Sequence, residues 1–554
     1  MERAYLKRRY LVDFEAHRLP HIFTDVLVIG AGAAGLRAAI EAGRYGQTLL
    51  IAKAGLKDSN TAQAQGGIAA VMDEEDSGAE HVADTLAAGA GLCDEPVVRH
   101  VVQHAPGHIR QLLDWGADFD RVGDQLDLTR EGGHGRRRIV HAHGDATGRE
   151  LARTLGRQVQ ANDQTKIFEN CFVIDLLTDP AEGGPQATCL GAITWHERYG
   201  LQMIWARQTI LASGGAGVIW RETTNPPLAT ADGLAMAFRA GVTLADLEMM
   251  QFHPTTLYIA GASRSLISEA VRGEGAHLVD KNGQRFMSEY HPDAELAPRD
   301  VVARAIMAQM ARTGGTHVSL DVRHLGRQAF AERFPQIYQQ CLQFDIDPGS
   351  DLIPVRPAAH YMMGGCRVDL AGRTGIHGLY ACGESACTGL HGANRLGSNS
   401  LIEALVFGQR CGQLAGEALQ DVNNRLTVRH LAYHSPTSVS TEMDLSDIRH
   451  SLRSVMWRNI GLRRSAQPMS ETIEIVNFWC RYVLDKQFND PTGWEVQNML
   501  QVARLIATAA LGRPESRGSH FREDFPQTDP AWRVHQLIRR GAEELAVSKE
   551  PVAR

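Results

Sequence analysis

The sequence predicts an α/β chain: a doubly wound nucleotide-binding domain, interrupted by an inserted α+β domain and followed by a bundle of helices. Three observations predict it. A short apolar run, DVLVIG (25–30), leads straight into GAGAAG (30–35). Strand patterns of the same kind return far downstream, in TILASGGAG (209–217) and GLYACGESA (378–386). From about residue 440 the apolar residues recur with helical spacing instead.

DVLVIG is apolar and β-branched, hence a buried strand. LRAAIEAGRYG reads as a helix ending at Gly46, and TLLIAK (48–53) as a second strand. Together they form a Rossmann-like βαβ unit. Gly30 allows the tight turn, Gly32 admits a pyrophosphate, and Gly35 lets the helix pack on the strand. The helix N-terminus then faces the phosphates. GxGxxG alone is weak evidence, but strand, helix and second strand in register make it strong. The second strand ends at Lys53, where an NAD site carries an acidic ribose ligand. That argues against NAD and leaves FAD open.

The late return of the strands implies an insertion, at about 250–357, with helical patterns such as RDVVARAIMAQMART. The expected organisation is therefore a nucleotide domain in two parts (1–250 and 358–430), a capping domain (251–357) and a C-terminal helical domain (440–554). A Ser/Thr-rich linker, YHSPTSVSTEMD (433–444), precedes the last. Four helices are read there, the final one in AWRVHQLIRRGAEELA (531–546). The residues before Asp25 read as a short arm on the surface.

The chain has 554 residues, 44% of them hydrophobic and 22% charged, as in a soluble globular protein of several domains. A net charge of −7 gives no general attraction to nucleic acid or to an anionic membrane. The runs KRR (7–9) and RRR (136–138) read as solvated faces. Nine cysteines are scattered without a CxxC, which fits reduced thiols in a cytoplasm. Cys382 and Cys387, the nearest pair, read as packed thiols. The charged start lacks a secretory apolar core, and no run of 18 apolar residues exists, so a cytoplasmic chain without a transmembrane helix is expected. His141 and His143 in IVHAHG share a face if that stretch is a strand. No Cys or carboxylate spacing supports them, and no metal is expected.

Five segments place His or Arg beside small and turn-forming residues: QFHPTT (251–256), SEAVRGEG (268–275), ELAPRD (295–300), AAHYMMGG (358–365) and HGANRLGSNS (391–400). Singly, such residues are ordinary ion pairs. Gathered on a nucleotide domain and its insertion, they suggest a lidded flavin site for an anionic substrate.

With SNTAQAQGGIAAV (59–71) and REGGHGRRR (130–138), these segments resemble, in order, the motifs of the succinate dehydrogenase/fumarate reductase flavoprotein family. The resemblance runs from about residue 23 to about residue 526. It implies FAD, held non-covalently, because Asn60 stands near the position where membrane-bound relatives carry a covalently bonding His. It implies cofactor contacts from Gly30, Gly32, Ala33, Ala34, Gly35 and Lys53. Asn60, Thr61, Ala62, Gln65, Gly66 and Gly67 would wrap the flavin, the two glycines letting backbone approach its ring. Asp232, Glu384, Ser400 and Leu401 complete the implied set.

The same resemblance implies that His253 and Ser268 hold one carboxylate of a four-carbon dicarboxylate, and His360 and Arg395 the other. Holding both ends fixes the middle carbons. Arg299 would be the proton-transfer arginine, with Glu269 and Arg272, neighbours on a helix, as its relay. Free arginine stays protonated, so purely electrostatic stabilisation by Arg299 is the alternative. Glu131 would pair with a substrate ammonium. Gly397, close to Arg395, is expected to matter little.

The implied activity is oxidation of L-aspartate to iminosuccinate, with electrons passed to O2, giving H2O2, or to fumarate. That reaction opens de novo NAD synthesis and implies hand-over to quinolinate synthase. Two other readings stay open: a soluble fumarate reductase or succinate dehydrogenase subunit, and a non-catalytic flavoprotein. Asn60 and Glu131 weigh against the first. Intact His253, Arg299, His360 and Arg395 weigh against the second.

Overall fold

The computed structural model describes the chain apart from residues 1–5, 7, 185, 263, 422–425, 427 and 435–442. Most of the expected linker at 433–444 therefore lies outside the described residues. The opening unit consists of β1 (His21–Ile29), α1 (Ala33–Ala42) and β2 (Thr48–Ile51). β1 lies in parallel between β2 and the long strand Gly200–Leu211. A strand in that position meets no water on either face, and Val26, Leu27 and Val28 are fully buried. The sheet has seven strands, and Leu379–Ala381 joins it beside Gly200–Leu211, so the late strand does return to the first sheet. A Cβ on Gly35 would lie 1.8 Å from the Gly30 carbonyl oxygen, so only glycine lets α1 pack on the turn.

The inserted segment builds its own five-stranded antiparallel sheet around β3 (Met250–Leu257) and β4 (Ile353–Met362). α2 (Glu269–Gly273), α3 (Arg299–Thr313) and α4 (Pro335–Leu342) lie between those strands in the chain. Val271, Leu278, Val302, Ile306 and Phe330 form part of its separate core. Asp145 of the nucleotide domain accepts the N–H groups of Gln336 (3.1 Å) and Ile337 (2.8 Å) at the start of α4. This capping ties the insertion down over the first sheet. α5 (Asn399–Glu417) packs against α1.

Helices at Leu445–Asn459, Ala466–Val483 and Pro491–Gly512 follow. The fourth expected helix is a correction. Residues 531–546 fall instead in a hairpin of Val534–Arg540 and Leu545–Pro551, which pairs with Leu244–Ala245. The buried His535 ring is held by Asp246 (2.5 Å) and Asp94 (3.2 Å), and the strand at 244–245 offers an edge to pair with. Tertiary pairing overrides the helical period there.

The arm before Asp25 is a second correction. Tyr10, Leu11, Val12 and Phe14 are buried in a core with Trp205 and Trp494. Arg8 donates to the carbonyls of Leu484, Lys486 and Leu11, and Arg9 to that of Leu176. Arg8 and Arg9 thus sit inside, their charge met by carbonyl oxygens, where a solvated face was expected. In the run at 136–138, Arg136 and Arg137 are exposed, but Arg138 is buried against Asp76 (2.7 Å) and Asp84 (2.5 Å). All nine cysteines are buried and free. Cys382 lies beside Cys411 and not Cys387, whose thiol is 3.8 Å from Asp246. Among the described residues no helix is long and apolar enough to cross a membrane.

Candidate functional site

A cavity of about 680 Å³ opens beyond the ends of β1 and β2. Gly30, Gly32, Ala33, Ala34, Lys53, Asn60, Thr61, Ala62 and Gln65 line it, with Asp232, Glu384, Ser400 and Leu401 from later in the chain. It occupies the crevice at the carboxyl ends of parallel strands, where doubly wound sheets bind their ligands. α1 starts there from Gly32, which has no side chain of its own to cap it; Thr61 Oγ1 accepts from the Ala33 N–H (2.9 Å), and the positive dipole end still faces the cavity. Gln65 Oε1, Ser213 Oγ and Asn225 Oδ1 are buried in its wall without partners. Orphaned polar atoms beside a helix N-terminus fit a ligand that carries both a pyrophosphate and hydrogen-bonding groups, as FAD does.

Lys53 is not a bare cation. Its Nζ lies 2.7 Å from Asp232 and 2.6 Å from Glu495, so the acid missing from the strand end is supplied from elsewhere. Asn60 Nδ2 donates to Glu384 (3.1 Å), which also accepts from the Met362 N–H (3.0 Å). Gly35, Gly66 and Gly67 stand behind the wall. A Cβ on Gly67 would lie 2.3 Å from Ile139 Cγ2 and 2.5 Å from the Val140 carbonyl oxygen. On the side where a Cβ would stand, Gly67 meets the protein's own strand, so a side chain has no room there.

Deeper in, β3 and β4 are out of register by design of two irregularities. Gln251 pairs with Tyr361 and Phe252 with Ala359, which leaves His360 as the extra residue of a bulge. Bulges re-aim side chains, and this one sets the His360 ring 5.1 Å from that of His253. The Thr224 hydroxyl holds His360 Nδ1 (2.8 Å). His253 Nδ1 lies 3.1 Å from the Thr255 carbonyl oxygen and 3.3 Å from the Thr255 nitrogen, and its buried Nε2 has no partner. Burial first, then Arg299 for His253 and Arg395 for His360, pushes both imidazoles well below 6.5. Both are neutral at pH 7, so each ring carries one N–H donor and one bare nitrogen acceptor.

Arg395 is held on three sides. Nε donates to Gln251 Oε1 (3.2 Å), Nη1 donates to Ser400 Oγ (2.5 Å), and the guanidinium lies 4.3 Å over the Tyr361 ring. Burial, then Arg299, lowers it to about 10, so it stays cationic at neutral pH. Ser268 caps α2 by accepting from the Ala270 N–H (3.3 Å), which leaves its O–H to donate.

Arg299, the first residue of α3, donates from Nε to Glu269 Oε2 (2.6 Å) and from Nη1 to Gln251 Oε1 (3.1 Å). Arg272 Nη2 donates to the other Glu269 oxygen (3.0 Å), so arginine, carboxylate and arginine form one unbroken line. Burial pulls the Glu269 carboxyl up, but Arg299 and Arg272 outweigh it and hold it below the usual range. Glu131 shows the opposite balance. Burial, then Glu269, raises its carboxyl. Its Oε2 accepts from Ser398 Oγ (2.7 Å), and its Oε1 is buried without a hydrogen bond of ordinary geometry.

Gly397 stands at the centre of these charges. A Cβ there would lie 2.9 Å from Glu131 Oε2, 2.9 Å from Arg299 Nη2 and 3.0 Å from Glu269 Oε2. All three atoms are side-chain tips, which can shift, so the expectation that this position matters little stands as a prediction. His141 and His143 do not share a face: His141 is buried against Thr129 (2.8 Å), while His143 is exposed in a turn at φ 49°. Among the described residues no three candidate metal ligands gather.

Sequence reasoning passed over four residues. Thr224 and Asn225 lie in TTNPP (223–227), an uncharged turn with the same polar character as SNTAQAQGG. Gln251 and Tyr361 each neighbour a singled-out His inside a quoted motif. Period-2 spacing puts Gln251 on the His253 side of β3 and could have found it.

The FAD binding domain family matches residues 25–401, and the C-terminal part of the fumarate reductase flavoprotein family matches 449–554. The L-aspartate oxidase of Streptomyces coelicolor is 44% identical over 533 residues, covering 94% of this chain and 92% of that one. That of Nostoc sp. is 42% identical over 550 residues, covering 93% of each. The solved structure of an E. coli quinol fumarate reductase variant superposes with a TM-score of 0.88 at 32% identity, covering 97% of this chain and 98% of its own. The chain belongs to the L-aspartate oxidases, within the flavoprotein family of succinate dehydrogenase and fumarate reductase.

Proposed function

We propose that the chain oxidises L-aspartate to iminosuccinate with FAD, passing the electrons to fumarate or to O2, and that its product goes to quinolinate synthase. Bound FAD supplies the acceptor for the hydride that leaves Cα. The chain's own residues do the rest. Arg395 and His360 hold one substrate carboxylate, Ser268 and His253 the other, and the two neutral imidazoles donate without repelling Arg299. Glu131 pairs with the ammonium and, with its raised carboxyl, is placed to take the proton the amine must lose. In fumarate reduction Arg299 gives a proton to carbon, and Glu269 and Arg272 replace it. Asn60 has no nucleophilic nitrogen and is engaged by Glu384, so the flavin is held without a covalent bond. Acid precipitation should then release the yellow colour into the supernatant.

One observation carries the choice of an amino acid over succinate: a buried carboxylate, Glu131, next to Arg299 and Glu269, whose Oε1 has no hydrogen bond of ordinary geometry and only the His141 ring at 4.0 Å. Succinate offers nothing to satisfy it. The test is anaerobic mixing with L-aspartate, and separately with succinate, while flavin absorbance is followed. Bleaching by L-aspartate and not by succinate supports the reading. Bleaching by succinate alone moves the chain to the dehydrogenase branch and leaves Glu131 a structural residue.

A further inference from the structure

We propose that Gln251 is a positioning residue that fixes Arg299 and Arg395 relative to each other, coupling the grip on substrate to proton delivery. This rests on the function proposed above. Gln251 is fully buried on β3. Its single Oε1 accepts from Arg299 Nη1 (3.1 Å) and from Arg395 Nε (3.2 Å). Its Nε2 donates to Asn394 Oδ1 (3.0 Å) and to the Arg395 carbonyl (2.8 Å). Two acceptor and two donor positions are all used, so the amide has one orientation only. Turned over, it would aim N–H groups at two guanidiniums and an oxygen at two acceptors.

The three elements it joins come from distant parts of the chain. Arg299 opens α3 of the insertion, Arg395 lies in the loop before α5, and Gln251 itself is on β3. Asn394 extends the link by donating to Asp300 Oδ1 (3.1 Å), beside Arg299 on the same helix. Two like charges buried together repel, and a neutral oxygen with two lone pairs is the smallest group that can hold both at once. A carboxylate in its place could accept from both arginines, but it would lose both donor bonds and add a charge. When a substrate carboxylate draws Arg395, the shared oxygen passes that displacement to Arg299.

The test uses the full chain with FAD bound, as wild type, Gln251→Glu and Gln251→Met. Each is reduced anaerobically by L-aspartate and then reoxidised by fumarate across a pH series, with rates expressed per bound flavin. Gln251→Glu keeps the shape of the side chain. It should slow reoxidation at saturating fumarate by roughly tenfold or more and move its falling alkaline limb to higher pH, because an added anion holds the proton on Arg299. Gln251→Met should raise KM and lower kcat together, since both arginines are freed. A purely structural role predicts loss of melting temperature or flavin content, with the rate per flavin and the pH profile of both variants unchanged. That outcome overturns the proposal while leaving the function intact. If wild type itself is not reduced by L-aspartate, the function fails and the proposal falls with it.

Discussion

Two buried clusters of charge, one under the C-terminal hairpin and one around Gly397, are finished differently. In the cluster under the C-terminal hairpin, Asp246 accepts from His535 (2.5 Å) and from the Gln536 N–H (2.9 Å). Asp94 there accepts from His535 (3.2 Å), the Ala553 N–H (2.7 Å) and Arg367 (3.0 Å). In the cluster around Gly397, Glu131 keeps an idle oxygen and His253 an idle Nε2. Folding alone penalises an idle buried polar atom by about 1–3 kcal/mol. The closed cluster holds the chain together, and the open one is kept open for a ligand that completes it.

Four substitutions break or sharpen that contrast. The largest effect should come from Arg299→Lys, which keeps the charge but not the fork that meets Glu269 and Gln251. Fumarate reduction should fall by roughly a thousandfold. A small loss with an unchanged pH profile would leave Arg299 an electrostatic group only. Next, Glu131→Gln should lower kcat/KM for L-aspartate by about a hundredfold while changing fumarate reduction less than about fivefold. Equal losses on both substrates would make Glu131 part of the scaffold. For the wild type, KM for L-aspartate should rise toward acid pH as the raised Glu131 carboxyl takes up a proton.

His535→Gln addresses the closed cluster. Burial lowers the His535 imidazole, but Asp246 and Asp94 outweigh it and raise it to about 10. A raised folded-state pKa gives stability that is whole below about 6.5 and disappears as pH rises through about 10, on the order of a few kcal/mol. Wild-type melting temperature should therefore fall between pH 6.5 and 10 more steeply than that of His535→Gln. Parallel slopes would show that the ring is not charged in the folded state. The smallest effect is expected from Gly397→Ala. The atoms it meets are the tips of side chains, which can give by a few tenths of an ångström. Its kcat/KM should drop less than about tenfold, with melting temperature nearly unchanged.

The βαβ unit was legible because GAGAAG has a strand before it and a helix and strand after it, each with its own period. The histidines and arginines of the site were legible as motifs, and the structure shows why they lie where they do: a bulge in β4 turns His360 toward His253. No local pattern announces a bulge. The hairpin at 534–551 was misread because VHQLIRR satisfies a helical period as well as an alternating one, and only the edge at Leu244–Ala245 decides between them. Arg8 and Arg9 were read as solvated because distant carbonyls receive them, Leu176 for Arg9 and Leu484 and Lys486 for Arg8. That Ile139 lies over Gly67 was not legible, because the two are far apart in the chain.

That arm has a consequence for the order of events on the ribosome. Arg8 reaches partners 476 residues further along, so its place is completed only long after it has been made. At about 5–20 residues per second the wait is roughly 25 to 95 s. Until then Tyr10, Leu11 and Phe14 can rest only on the side of their core built by Phe172, Ile174 and Trp205, and that core stays open where Trp494 will close it.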